Sequence, residues 1–162
     1  MRVCVAVGLM FAVACTALAG EEPKERAKQA TGTFVAAELA GEVVKWQIDL
    51  GGDAGKKTYE MAAAVRVTYT EKDGAKQGQS IRGASAPDRA PREGTVAAKG
   101  KFTSAKVQGD NVLVTVALEG DKTLEVTLPK KLQVRYREEG AKLTASSIGI
   151  PRTRPAAKGE AK

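Results

Sequence analysis

The clearest pattern in the chain is a period of two. Val44, Trp46, Ile48 and Leu50 alternate with Lys45, Gln47 and Asp49, which places oily side chains on one face of an extended segment and polar ones on the other. The pattern returns at Val112, Val114, Val116 and Leu118. Further short runs at Thr33–Leu39, Lys57–Met61, Val65–Thr70 and Gln77–Ile81 read as strands, and Gly51-Gly52-Asp53-Ala54-Gly55 between two of them reads as a turn. No helical spacing runs through this part of the chain.

The strands are written twice. Leu132–Ile148 reads L-Q-V-R-Y-R-E-E-G-A-K-L-T-A-S-S-I, and Val65–Ile81 reads V-R-V-T-Y-T-E-K-D-G-A-K-Q-G-Q-S-I. Val65, Val67, Tyr69 and Glu71 answer to Leu132, Val134, Tyr136 and Glu138. With one extra residue allowed in the first copy, Asp73-Gly74-Ala75-Lys76 matches Glu139-Gly140-Ala141-Lys142. In both copies an alternating run meets an acidic residue and a glycine and then resumes, the signature of a β-hairpin. Upstream, Gly32-Thr33-Phe34 corresponds to Gly100-Lys101-Phe102, Ala37 to Ala105 and Gly41 to Gly109. Thr58-Tyr59-Glu60-Met61 aligns with Thr123-Leu124-Glu125-Val126, which leaves a two-residue expansion around Pro129-Lys130-Lys131.

The expected fold is therefore all-β, with two tandem related units of four to five short antiparallel strands at 31–83 and 99–149. Units of this kind are small barrels of the oligonucleotide-binding or SH3-like type. The segment 84–98, with Pro87, Pro91 and Gly94, is a connector. The charged stretch 20–30 is a mobile lead-in or a short helical turn, and 150–162, with Pro151 and Pro155 among its cations, is a disordered basic tail. A unit of about 50 residues buries too small a share of its surface to be secure alone. The two units are expected to pack together or share a core.

Residues 1–19 stand apart from both units. Met1-Arg2 is a short positive start, Val3–Ala14 an apolar run, and Ala17-Leu18-Ala19 a small-x-small cleavage site, which together form a secretory signal peptide. The apolar run is shorter than the roughly 20 residues a bilayer demands, so no transmembrane span is expected in the mature chain. Ala12-Val13-Ala14-Cys15 offers a second processing site, because small residues before a cysteine resemble a bacterial lipoprotein box, although the usual leucine three places earlier is missing. Lipid on Cys15 would tether the protein to a membrane, whereas cleavage before Gly20 would release it. Either route makes the protein secreted or periplasmic.

Composition narrows the chemistry. Both cysteines, Cys4 and Cys15, lie in the signal, and the chain has no histidine, so zinc, copper and haem sites of the common kinds are nearly excluded and no cofactor is expected. Loss of Arg2 with the signal takes the net charge from +7 to +6. Arg66, Arg135 and Arg137 stand on the solvent side of the repeated fourth strand, with Lys130, Lys131, Arg152 and Arg154 near in sequence. Such a face suits nucleic acid, an anionic glycan or lipid headgroups. Arg135 and Arg137 could instead pair across a hairpin with Glu125 and Thr127, or with Glu138 and Glu139. Trp46, Tyr69 and Tyr136 fall in phase with the inward valines, which removes them from base or sugar stacking. Asp53, Asp73, Asp110, Glu119, Asp121, Glu138 and Glu139 sit at turns, where a glycosidase-like acid pair is one use of a carboxylate and turn chemistry another. Gly51–Gly55 lacks the lysine and helix that make a phosphate loop.

The repeated string G-x-F-x-x-A, V-x-V-x-V, T-x-E, L-x-V-x-Y-x-E and G-A-K-L-x-A-x-x-I resembles secreted bacterial small-β-barrel domains of unknown function. A G-D-x-V-x-V second strand and a closing G-x-L-x-A-x-x-I recur in those domains. Gly109–Val114 and Gly140–Ile148 carry both motifs, whereas the first copy departs at Gln77, where a leucine would stand. The resemblance implies export and a structural or binding role, and it brings no catalytic residues. The expected function is a non-enzymatic binding or scaffold protein of the bacterial cell envelope, its partner an envelope protein or a polyanion. Polyanion binding through the cationic face is the second reading, and hydrolysis a minor third.

Overall fold

The computed structural model describes residues 27–84 and 90–151. The segment 1–19, read as a signal peptide and holding Cys15, residues 20–26 of the lead-in, Pro87 in the connector, and Arg152 and Arg154 lie outside them. The described residues form ten strands and one 3-10 turn. The strands are β1 (Lys28–Ala40), β2 (Val43–Asp49), β3 (Lys56–Ala62), β4 (Ala64–Lys72) and β5 (Ala75–Gly83), then β6 (Val96–Gln108), β7 (Asn111–Ala117), β8 (Thr123–Pro129), β9 (Lys131–Glu139) and β10 (Lys142–Gly149). The all-β small-barrel architecture read from the alternation is the one observed. No helix among the described residues is long and apolar enough to cross a membrane.

Strand pairing divides the chain differently from the repeat. β1, β2 and β3 form an antiparallel meander, but β1 then pairs with β9, β9 with β10, and β10 touches β3 in parallel at Thr144 opposite Glu60. In the same way β6, β7 and β8 are closed by β4 and β5, with a parallel contact of Gln77 and Thr127. Each closed five-stranded barrel thus takes three strands from one repeat and two from the other. Numbered within the repeat, the circuit is 1-2-3-5-4. The two halves are exchanged copies of one another.

The exchange turns on two residues. Ala63 alone separates β3 from β4, and Lys130 alone separates β8 from β9. Strand 5 lies between strands 3 and 4 in the circuit, so a single residue cannot carry the chain from the third position back to the fourth of the same barrel. The chain runs on into the neighbouring barrel instead. Each crossover residue is hydrogen-bonded on both sides: Ala63 N–H donates to Glu42 O at 2.8 Å and its carbonyl accepts from Phe102 N–H at 2.8 Å. Lys130 does the same with Asp110 O (2.9 Å) and Phe34 N–H (2.8 Å). The barrels are also joined where β5 meets β10, with Ile81 directly opposite its counterpart Ile148. That pair marks the approximate two-fold axis relating the repeats.

β1 and β6 are longer than the pattern predicted because each pairs twice. β1 uses Lys28–Thr33 against β9 and Thr33–Ala40 against β2, so three lead-in residues are strand, as are Val96, Ala97 and Ala98 of the connector. At the junction of its two pairings each long strand carries a glycine. A Cβ on Gly32 would lie 2.4 Å from Asp49 O, and one on Gly100 would lie 2.3 Å from Ala117 O. This accounts for the repeated G-x-F: glycine lets the strand pass its neighbour closely, and the phenylalanine two places on fills the barrel.

Cross-strand partners also correct the alignment of the repeats. Tyr59 stands opposite Trp46, and Val126 opposite Val114, so Tyr59 corresponds to Val126 and Met61 to Leu128. The match of Thr58–Met61 with Thr123–Val126 was two residues out of step. A slip of two leaves every side chain on its own face, so alternation alone does not detect it. Asp73-Gly74 and Gly140-Ala141 occupy the same turn, and neither the extra residue there nor the expansion at Pro129 exists. The one length difference is the loop after the second strand, Leu50–Gly55 against Leu118–Lys122.

A single apolar cluster fills both barrels. Trp46 is fully buried at its centre and meets Phe34 (5.9 Å between centroids) and Phe102 (5.3 Å) edge to face. Phe102 belongs to the other barrel, so the indole ties the two interiors together, each such pair contributing about 0.5–1.5 kcal/mol beyond its buried area. We expect Gly100→Ala to lower unfolding stability by about 3 kcal/mol, because Ala117 O is backbone and has little room to yield. Gly41→Ala meets no neighbour and is strained only by its φ of 64°, a loss of about 1 kcal/mol. Urea denaturation of both variants tests the contrast, and equal losses would contradict it.

Candidate polyanion-binding face

The six strands β1-β9-β10-β5-β4-β6 run without a break from one barrel to the other. Their inward positions hold the core, so the alternate positions form one broad outer face. Registers place these residues in transverse rows. In one row Gln29 stands opposite Arg135, Arg135 opposite Ser147, Ser147 opposite Arg82, Arg82 opposite Arg66, and Arg66 opposite Lys99. Four cations thus lie in one line across both barrels. Arg66 and Arg135 were expected from sequence, whereas Arg82 and Lys99 were not. Their neighbourhood depends on the β4–β5 and β4–β6 registers, which no pattern along the chain reports.

The other expected cations are more dispersed. Arg137 lies one row away, opposite Thr144. Lys131 is at the far end of β9, opposite Thr33, and Lys130 is the crossover residue. The pairing of Arg135 and Arg137 with Glu125 and Thr127 does not form, because β8 and β9 lie in different barrels and Glu125 faces Thr115 on β7. Glu138 is ion-paired with Lys28. With the Gln29 amide turned so that its oxygen faces the guanidinium, Arg135 Nε and Nη2 both donate to it at 2.8 Å, which holds this arginine at the edge of the row. Arg66, Arg82 and Lys99 are likewise engaged with neighbours.

The row is not a by-product of the duplication. The positions equivalent to Arg82, Arg66 and Lys99 in the other half are Gly149, Gln133 and Thr31, which align in a row of their own. The inward strand positions are repeated, with Trp46 and Tyr59 answering to Val114 and Val126, while the charge on the outer face is not.

Other surfaces offer less chemistry. Asp53 lies in the 3-10 turn, Asp110 in the β6–β7 turn, and Asp73 and Asp121 at turn positions with positive φ, as turn carboxylates do. Among the described residues no three of His, Cys, Asp and Glu gather as metal ligands would. A shallow depression on β1, β2 and β3, lined by Ala36, Glu38, Lys45, Gln47 and Thr58, lies open to solvent.

Inside the first barrel, Trp46 Nε1 and the Tyr59 hydroxyl are buried without a hydrogen-bond partner among the described residues. The corresponding residues of the other barrel are Val114 and Val126. Burial, and then the nearby Tyr136 and Glu138, push the Tyr59 hydroxyl above its usual pKa of 10.0. The folded state therefore favours the neutral phenol. Its contribution to stability is complete below pH 10 and is lost as pH rises through the folded value. We expect Tyr59→Phe to leave stability at neutral pH unchanged or raise it by up to about 1 kcal/mol, and to weaken the fall in stability above pH 10. Denaturation at pH 7 and pH 11 checks this, and a loss of about 2 kcal/mol at pH 7 would show a hydroxyl that is well paired.

Comparison of the chain with protein-family models, with curated proteins and with solved structures found no match.

Proposed function

We propose that this is an exported, non-enzymatic binding protein that holds a polyanion on the outer face of its six-stranded sheet. The observation that carries the reading is the row Arg135, Ser147, Arg82, Arg66 and Lys99, in which cations from four strands are aligned by direct cross-strand pairing. A line of fixed cations attracts a chain of fixed anions and releases its counterions, a gain that does not depend on a pocket. The rigid sheet supports it further, since the backbone spacing of the charges is set before the ligand arrives. Export by the signal peptide would bring the face into contact with the anionic material of the cell envelope.

Heparin serves as a general probe. The wild-type protein is expected to bind it at 50 mM salt and to lose affinity by roughly a hundredfold at 200 mM, as four ionic contacts would require. Arg66→Gln with Arg82→Gln should reduce the slope of log K against log salt by about 1.5, while unfolding stability changes by less than about 1 kcal/mol. Wild-type binding that is absent at low salt, or a slope untouched by the double substitution, would contradict the proposal.

A further inference from the structure

Polyanions differ in what lies between their charges: nucleic acids carry flat bases, and acidic polysaccharides carry hydroxyls. Proteins that hold single-stranded nucleic acid stack its bases on exposed rings, each worth about 1–3 kcal/mol. Phe34, Trp46, Tyr59, Tyr69, Phe102 and Tyr136 are all the aromatic residues in the described segments. All six are buried, none more than 8% exposed. Among the described residues the face therefore offers a base no aromatic ring to stack upon, only the guanidinium planes of its arginines.

What it does offer between the cations is hydrogen bonding. Gln29 and Ser147 stand in the cationic row itself. In the next row Thr31 faces Gln133, and Ser80 faces Thr68. Hydroxyls and amides both donate and accept, and they are matched by the hydroxyls of a sugar chain. The row runs at right angles to the strands. Followed along the curved sheet from Arg135 to Lys99 it takes four steps of about 4.8 Å, a contour of about 19 Å, which suits an extended ligand wrapping across the strands.

We infer that the ligand is an acidic polysaccharide, sulfated or carboxylated, that lies along this row and crosses the junction of the two barrels at Ser147 and Arg82. The inference rests on the polyanion reading above and adds the ligand class and its direction on the sheet.

The test uses the full mature chain with four probes at 50 and 150 mM salt: heparin, polygalacturonate, a 30-nucleotide oligo-dT, and an abasic deoxyribose-phosphate strand of equal length. Heparin and polygalacturonate should bind. Oligo-dT should bind at least tenfold more weakly than heparin and no better than the abasic strand. Ser147→Asp sets a carboxylate in the middle of the row and should weaken both polysaccharides at least tenfold. Ser147→Asn, of the same size without the charge, should weaken them less than threefold, with both variants melting within a few degrees of wild type. Oligo-dT binding that exceeds the abasic strand tenfold, or equals heparin, would overturn the polysaccharide assignment and leave the polyanion reading standing. Polysaccharide binding indifferent to Ser147→Asp would overturn the placement on the row, and failure of every probe at 50 mM salt would remove the polyanion reading itself.

Discussion

A connection one residue long decides the architecture of this protein. In a barrel closed in the order 1-2-3-5-4, the third and fourth strands are not neighbours, and the chain needs a linker across the barrel end to join them. Ala63 and Lys130 provide no such length. Short links of this kind favour exchange of elements between equivalent units, and with two units in one chain the exchange is internal. The consequence is that neither repeat closes a barrel by itself. Stability, the shared core and the continuous six-stranded face follow from the same two residues.

The exchange also explains how a chain with no cysteine among its described residues can hold together. Each repeat alone would leave three strands without their closing pair, and the apolar cluster around Trp46 would be cut in two, since its ring packs on Phe102 from the other half. The crossover residues satisfy their backbone groups in both barrels, so no buried amide is sacrificed at the junction.

Strands, inward faces and hairpin turns were legible in the sequence because they depend on period two and on local turn residues such as Asp73-Gly74, both of which take positive φ. The inward placement of Trp46, Tyr69 and Tyr136 followed from the same phase. The exchange was not legible, because repeats that are swapped and unswapped have the same alternation, and the relevant signal is an absence: no turn residue separates the third strand from the fourth at Ala62-Ala63-Ala64. The face was half legible. Arg66 and Arg135 stood out beside the valines of their strands, but Arg82 and Lys99 join them only through registers between segments far apart in the chain. A Glu125 partner for Arg135 fits the alternation, but β8 and β9 lie in different barrels.

The repeated strand pattern set against the unrepeated charge is what links the fold to the proposed function. Native mass measurement after a single cut between Ala84 and Ala90 tests the exchange most directly, because that segment is the covalent link from β5 to β6. The two pieces should remain one folded particle at micromolar concentration, with the fluorescence of Trp46 unchanged, and separate only on unfolding. Pieces that part under native conditions, each keeping its own strand signal, would show that every repeat closes its own barrel.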